Sequence, residues 1–249
     1  MGPSMPVSDH ASPGSVDAGS RVDLAIRAVT DHIRDNGLRV GDSLPGEGHF
    51  AANLGVSRAV MREAFGALAA LRLIDVGNGR KARVGALDGA IIAASLDHAV
   101  STAQITVAEI WVVRRTIEVK TAALAAASRT DEEAREIMAL ADVLARSRHD
   151  MPATARADIA FHEAIAKASH NALFVQIVAS FAPLMEVAVP AAWRTRKAGA
   201  DPDMMLERHH RVAEAILRRD PVAAAAAMDE HFDAAIHSDL VGLDLKGAN

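Results

Sequence analysis

The chain contains no cysteine. That removes disulfides, thiolate metal sites and a cysteine nucleophile together, so a bound metal would need His, Asp, Glu, Asn or water as ligands. Aromatic residues make up only 3% of the 249 positions, which offers little on which an aromatic ligand could stack. No apolar run is long enough to span a membrane, and the N-terminus lacks the apolar core of a signal peptide. A soluble, cytoplasmic protein with no membrane partner is expected. A general surplus of basic charge is also missing: the formal net charge is −5. What is abundant is hydrophobic residue, at 50%, enough for a proper core. The length suits one large or two ordinary domains.

The charge is unevenly spread. Residues 21–84 carry ten Lys/Arg and seven Asp/Glu, a net +3, whereas residues 85–249 carry seventeen and twenty-three, a net −6. Two modules with different partners are expected. Ahead of them, residues 1–20, "MGPSMPVSDHASPGSVDAGS", are rich in Ser, Pro and Gly and read as a disordered tail.

In the front module, residues 21–86, Leu24, Ile26, Val29 and Ile33 recur at helical spacing and Asn36-Gly37 stops the helix. Leu44-Pro45 sets up a short helix from about Glu47 to Leu54. Gly55 breaks it, and Ser57 can cap a second helix running to about Leu71. Two short helices joined at a glycine turn read as a helix-turn-helix. Arg58 and Arg62 share the polar face of the second helix, while Ala64, Leu68 and Leu71 form its packing side. The early turns of such a helix are where side chains reach base edges, and Arg reads guanine O6 and N7 bidentately. "LIDVGNGRKARV" then reads as a hairpin with a Gly77-Asn78-Gly79 turn and a basic tip, Arg80-Lys81. Solvated surface arginines are the plain alternative; the turn, the cap and the basic wing together weigh against it.

The stretch "GDSLPGEGHFAANLGVSRAVMREAFGALAALRLIDV" resembles the winged helix-turn-helix of the GntR family of bacterial transcription regulators. Gly41-Asp42, Leu44-Pro45, Glu47, Val56-Ser57-Arg58, Arg62-Glu63-Ala64 and Leu68 carry the likeness. It implies DNA contacts by Ser57, Arg58 and Arg62, and minor-groove or phosphate contacts by Asn78, Gly79 and Arg80. The family often has an arginine after the glutamate of the L-P-x-E piece, where this chain has Gly48. Its wing often reads Gly-Arg-Gly, where this chain has Gly79-Arg80-Lys81, so Lys81 is expected to anchor phosphate without sequence preference.

The back module, residues 90–240, is alanine-rich with almost no strand signal. Helices are expected near 88–100, 106–128, 130–147, 153–169, 171–197 (bent at Pro183 or Pro190), 202–219 and 221–239. The fold class is therefore mainly α: a winged helix-turn-helix with a small β wing, followed by an all-α antiparallel bundle. Bundles build ligand and metal sites between their helices.

One segment, "DIAFHEAI", sets Asp158 and His162 four apart among apolar residues. A buried carboxylate is costly unless it is paired, hydrogen-bonded or bound to metal. Candidate partners are His209, on the apolar side of its helix with Val212 and Ile216, and His231, in "MDEHFDAAIH". His210 falls on the polar side. One Asp and three His would suit Zn, Ni, Mn or Fe(II) with positions left open for water or ligand. A hydrogen-bonded core set is the alternative. The zinc-protease motif H-E-x-x-H is absent, because Ala166 follows His162-Glu163 where the second His would stand.

"DIAFHEAI", "SHNALF" and "HHRVAEAILRRDPVAAAAAMDEH" resemble the FCD ligand-binding domain of FadR-type GntR regulators. The resemblance places the metal ligands on Asp158, His162, His209 and His231. "RRTIEVKTAALAA" resembles that domain's opening helix, R-x-x-(I/L)-E, and the reading places an effector-facing arginine at Arg115. Asn171 corresponds to a family asparagine that follows Ser-Gly, with His170 in place of Gly. The expected function is a homodimeric regulator, a repressor, that binds a palindromic double-stranded operator and is controlled by a small carboxylate effector at a divalent transition metal. Two alternatives use the same Asp/His set: a metal-dependent hydrolase or lyase, disfavoured because Glu163 points away from Asp158 and His162, and a metal-only sensor. No enzyme activity is expected.

Overall fold

The computed structural model describes residues 18–77, 79–147, 149–194 and 202–237. The chain divides after Leu87 into two units, each with its own hydrophobic core.

The first unit contains α1 (Ala18–Asp35), α2 (Glu47–Leu54), α3 (Arg58–Ala70) and a hairpin of β1 (Ile74–Gly77) and β2 (Arg80–Val84). Helix α1 begins at Ala18, inside the segment expected to be a disordered tail; residues 1–17 lie outside the described residues. Its buried stripe is Ala25 and Val29, flanked by Val22, Ile26 and Ile33. Leu24, expected there, is 51% exposed; one step along a helix turns a side chain by about 100° and Ala25 takes the inward position.

Gly55 ends α2 in the left-handed region, at φ +65°, a conformation open to glycine without a Cβ penalty. Helix α3 then starts at Ser57, whose Oγ accepts the Val60 amide at 3.3 Å. Met61, Ala64, Phe65 and Leu68 bury its inner face. Leu71, expected on that face, caps the helix C-terminus and is exposed. The hairpin is antiparallel, pairing Ile74 with Val84, Asp75 with Arg83 and Gly77 with Arg80, and Ile74, Ala82 and Val84 face inward.

The second unit contains α4 (Gly89–Ser101), α5 (Val107–Ser128), α6 (Asp131–Arg146), α7 (Met151–Ala168), α8 (Ala172–Ser180), α9 (Ala182–Arg194), α10 (Pro202–Leu217) and α11 (Pro221–His237). Polar residues define the helix starts. Thr106 with Glu109 and Thr130 with Glu133 form capping boxes, and Asp88, Asp150 and Asn171 accept amide hydrogens at other N-termini. The Asp150 cap starts α7 at Met151, two residues ahead of the expected start. Alanines at 122, 125 and 126 on α5, 164 and 168 on α7, 213 on α10 and 224 on α11 are buried. Small side chains at these contacts let helix axes approach closely, and α5 packs against α7, α10 and α11.

The single bent helix expected over residues 171–197 is two helices, α8 and α9, meeting at 44° with the break at Phe181. Pro183 has no amide hydrogen for the carbonyl four residues back and crowds the residue before it, so the chain turns just ahead of it. Pro190 is accommodated inside α9. The expected continuations to 197 and, for α11, to 239 run into residues outside the described set. The architecture is mainly α, with the two-stranded wing the one sheet among the described residues.

Candidate functional site

Asp158 and His162 stand one turn apart on α7; His209 comes from α10 and His231 from α11. Ligand-capable atoms of the four lie within 4.8 Å of one another, and all four residues are buried. His209 Nε2 donates to Asp158 Oδ1 at 3.1 Å, and His162 Nε2 lies 3.9 Å from the same oxygen. The His209 and His231 ring centres are 4.4 Å apart, and those of His162 and His231 5.2 Å. Phe161 meets His209 edge-on at 5.1 Å and Phe232 meets His231 at 5.4 Å, so apolar rings wall the cluster.

Behind it stands α5. Arg114 Nε donates to Glu118 Oε1 at 2.5 Å, and Glu118 Oε2 is in contact with His162 Nδ1. The Arg114 guanidinium lies over Trp111 at 5.2 Å and Phe232 at 5.5 Å. Arg114 and Glu118 are both buried.

The electrostatics favour a carboxylate and a neutral imidazole. Burial pushes the Asp158 pKa up, but the His209 hydrogen bond and the nearby His162, His209 and Arg114 outweigh it and hold the group below the ordinary carboxylate range. Glu118 is likewise held down, against burial, by Arg114 and His162. Burial, reinforced by His209 and His162, pushes His231 well below its usual value of 6.5. Its Nδ1 is buried without a hydrogen-bond partner among the described residues. A buried polar atom left without a partner is costly, and a cation would satisfy it. Metal–ligand bonds of about 2.1 Å set donors about 3–4 Å apart, so a small side-chain adjustment closes this set on a divalent ion.

Two expected effector residues are placed elsewhere. Arg115 is turned away from the cluster: its Nε and Nη1 pair with Asp229 at 2.6 Å and Asp233 at 2.5 Å on α11. The pattern R-x-x-I-E, counted back from Glu118, begins at Arg114, and Arg114 is the arginine beside the histidines. Asn171 is exposed, and its Oδ1 accepts the amides of Leu173 and Phe174, which makes it the N-cap of α8. Glu118 was not singled out from the sequence, although the Arg114/Glu118 spacing of four was the available signal. His210, excluded by phase, pairs with Asp142 at 2.9 Å.

In the first unit, Ser57, Arg58 and Arg62 lie exposed on the first turns of α3, and Gly79, Arg80 and Lys81 are exposed at the wing tip. A Cβ at Gly48 would stand 3.9 Å from Arg58 Nη2, and Arg62 Nε lies 3.8 Å from Glu47. Asn78 lies outside the described residues.

Residues 23–84 match the model of bacterial regulatory proteins of the gntR family, and residues 109–234 match that of the FCD domain. The chain belongs to the GntR family. The regulator is 31% identical over 231 residues to the Glc operon transcriptional activator of Escherichia coli strain K12, covering 90% of this chain and 91% of that one. It is 28% identical over 205 residues to the HTH-type transcriptional regulator LutR of Bacillus subtilis, covering 80% and 92%. It is 26% identical over 204 residues to the HTH-type transcriptional repressor NanR of Salmonella schwarzengrund, covering 81% and 77%. A solved Streptococcus agalactiae GntR structure shares the fold, with a TM-score of 0.60 at 23% identity over 87% of this chain and 100% of that one. The regulator is a DNA-binding transcription factor with a FadR-type FCD domain, and it is not an enzyme. Glu163 is partly exposed on α7, 3.9 Å from Lys167.

Proposed function

We propose that this regulator senses a small organic acid through a divalent transition metal, Zn, Ni, Mn or Fe, held by Asp158, His162, His209 and His231. The observation that carries the reading is the convergence of four buried donors from three helices, with His231 Nδ1 left without a partner among the described residues. Three neutral imidazoles and one carboxylate leave a bound divalent ion net positive, and its open positions attract a carboxylate. Arg114 beside the set supplies a charge-assisted hydrogen-bond donor. In the cytoplasm, a homodimer would present two α3 helices to a palindromic operator, protein symmetry mirrored in half-site symmetry. Ser57, Arg58 and Arg62 would read bases; Asn78, Gly79, Arg80 and Lys81 would hold phosphates or the minor groove. The two modules would follow the expected boundaries, 21–86 and 90–240. The acid controls transcription only by binding the operator-competent and incompetent states unequally. Repression relieved by the acid is the direction we adopt; one relative is named an activator and another a repressor, so the assay must read either sign.

Elemental analysis of unchelated protein, alongside Asp158→Ala, tests the centre. About one equivalent of transition metal in the parent, lost in the variant, is expected for a four-ligand site. No metal in either, after incubation with Zn, Ni and Mn, would sink the reading. A screen of small acids for altered operator affinity then separates an acid sensor from a metal-only sensor, whose operator binding would respond to metal alone.

A further inference from the structure

The line Arg114–Glu118–His162 runs from α5 into the cluster, and each member is at most 2% exposed. An imidazole can give Nε2 to a metal only while its proton sits on Nδ1. His162 turns Nδ1 to Glu118 Oε2 and Nε2 toward Asp158 Oδ1 at 3.9 Å. Neither Glu118 Oε2 nor His162 Nδ1 has a further hydrogen-bond partner among the described residues. The other Glu118 oxygen is taken by Arg114 Nε at 2.5 Å. A guanidinium only donates, so it fixes which carboxylate oxygen is left for the imidazole. Both Glu118 oxygens must accept, one from Arg114 and one from His162 Nδ1–H.

We infer that Glu118, oriented by Arg114, is a positioning residue that holds His162 in the Nδ1–H tautomer and so presents its Nε2 lone pair to the cation. The inference rests on the metal reading above. Hydrogen-bonded partners of ligating histidines commonly set ring orientation and raise affinity; here the partner is a buried carboxylate held in turn by a buried arginine. An amide at position 118 cannot do both jobs. If its oxygen stays with Arg114, its NH2 faces His162 Nδ1, which must then accept, and the proton moves to Nε2, where it blocks the ligand. If its oxygen turns to His162, its NH2 meets the Arg114 donors.

The test uses full-length protein carrying 15N-labelled histidine, freed of metal by chelation. Two-bond proton–nitrogen spectra report the His162 tautomer in the parent, in Glu118→Gln and in Glu136→Gln, an exposed control on α6. The same samples are titrated with Zn2+ against a competing chelator. The expected results are Nδ1–H in the parent and control and Nε2–H in Glu118→Gln, with Zn2+ affinity lower by about 10–100-fold in that variant alone. A parent His162 protonated at Nε2 overturns the proposal without any variant, which covers the case of Glu118→Gln failing to fold. A folded Glu118→Gln with the parent's tautomer and affinity overturns it too. Parent protein that shows the expected tautomer but no Zn2+ affinity would overturn the metal reading while upholding the hold of Glu118 on His162.

Discussion

The two units keep their functional groups in opposite places. In the first, Arg58, Arg62, Arg80 and Lys81 are exposed around a core that contains none of them. In the second, Asp158, His162, His209, Arg114 and Glu118 lie inside, between Phe161 and Phe232. Exposed charge costs the fold almost nothing, so the surface of α3 is free to suit a polyanion. Buried charge is expensive, so the interior of the helical unit tolerates this set only because each member answers another. Substitutions in the first unit should therefore change binding and spare stability, and those in the second should change both.

The largest contrast is expected from His209→Ala. It removes a proposed ligand and the donor to Asp158 together, so metal affinity should fall by more than about 100-fold, read by chelator competition. Operator affinity without effector should stay near the parent's; normal effector response in this variant would unseat the site assignment. Phe161→Ala comes next. Phe161 is completely buried against His162 and His209, and its truncation should cost about 3–5 kcal/mol, read by denaturant melts of the metal-free protein. A loss below about 1 kcal/mol would mean that the walls of the cluster are not part of the core.

Acid sharpens the same contrast. The folded-state pKa of His231 is depressed below 6.5, so its contribution is present above that pH and is lost as pH falls below it. Asp158 and Glu118 are depressed as well, and their contribution disappears only below the ordinary carboxylate range. Metal-free protein should thus lose stability from about pH 6.5 downward, by at most about 1.4 kcal/mol per pH unit for one group. Replacing His231 with Phe should flatten that limb, and an unchanged limb would assign the acid sensitivity to other groups.

What could be read from the sequence differs between the units for the same reason. The helix-turn-helix is a local object: Gly55, Ser57 and the spacing of Ala64 and Leu68 specify it within about thirty residues. The buried Asp/His cluster was accessible because Asp158 and His162 share one turn and the phase of His209 fixes its inward face. The sequence could not separate Arg115 from Arg114, the arginine beside the histidines, because adjacent residues on a helix differ by about 100°, and α5 is apolar on several sides, so the pattern does not single out an inner face. Asn171 stands where an asparagine just before a helix caps it by default, and its side chain accepts the amides of Leu173 and Phe174. The α8–α9 break was partly visible in Pro183, whose effect falls one to two residues upstream of the ring.

The smallest effects belong to the surface of the first unit, where two kinds of contact should separate. Arg58→Ala should cost about 1–3 kcal/mol on the cognate operator and much less on unrelated DNA, because a bidentate base contact is lost. Lys81→Ala should weaken all sequences alike. Losing one phosphate contact should lower the slope of log K against log salt by about 0.9, read from binding isotherms at several salt concentrations. The sign of the paired result is the discriminating quantity. If Arg58→Ala changed only the salt slope and Lys81→Ala relaxed sequence preference, the wing rather than α3 would be the reader of bases. Neither variant should shift the melting of either unit, since both side chains are exposed and neither belongs to a core.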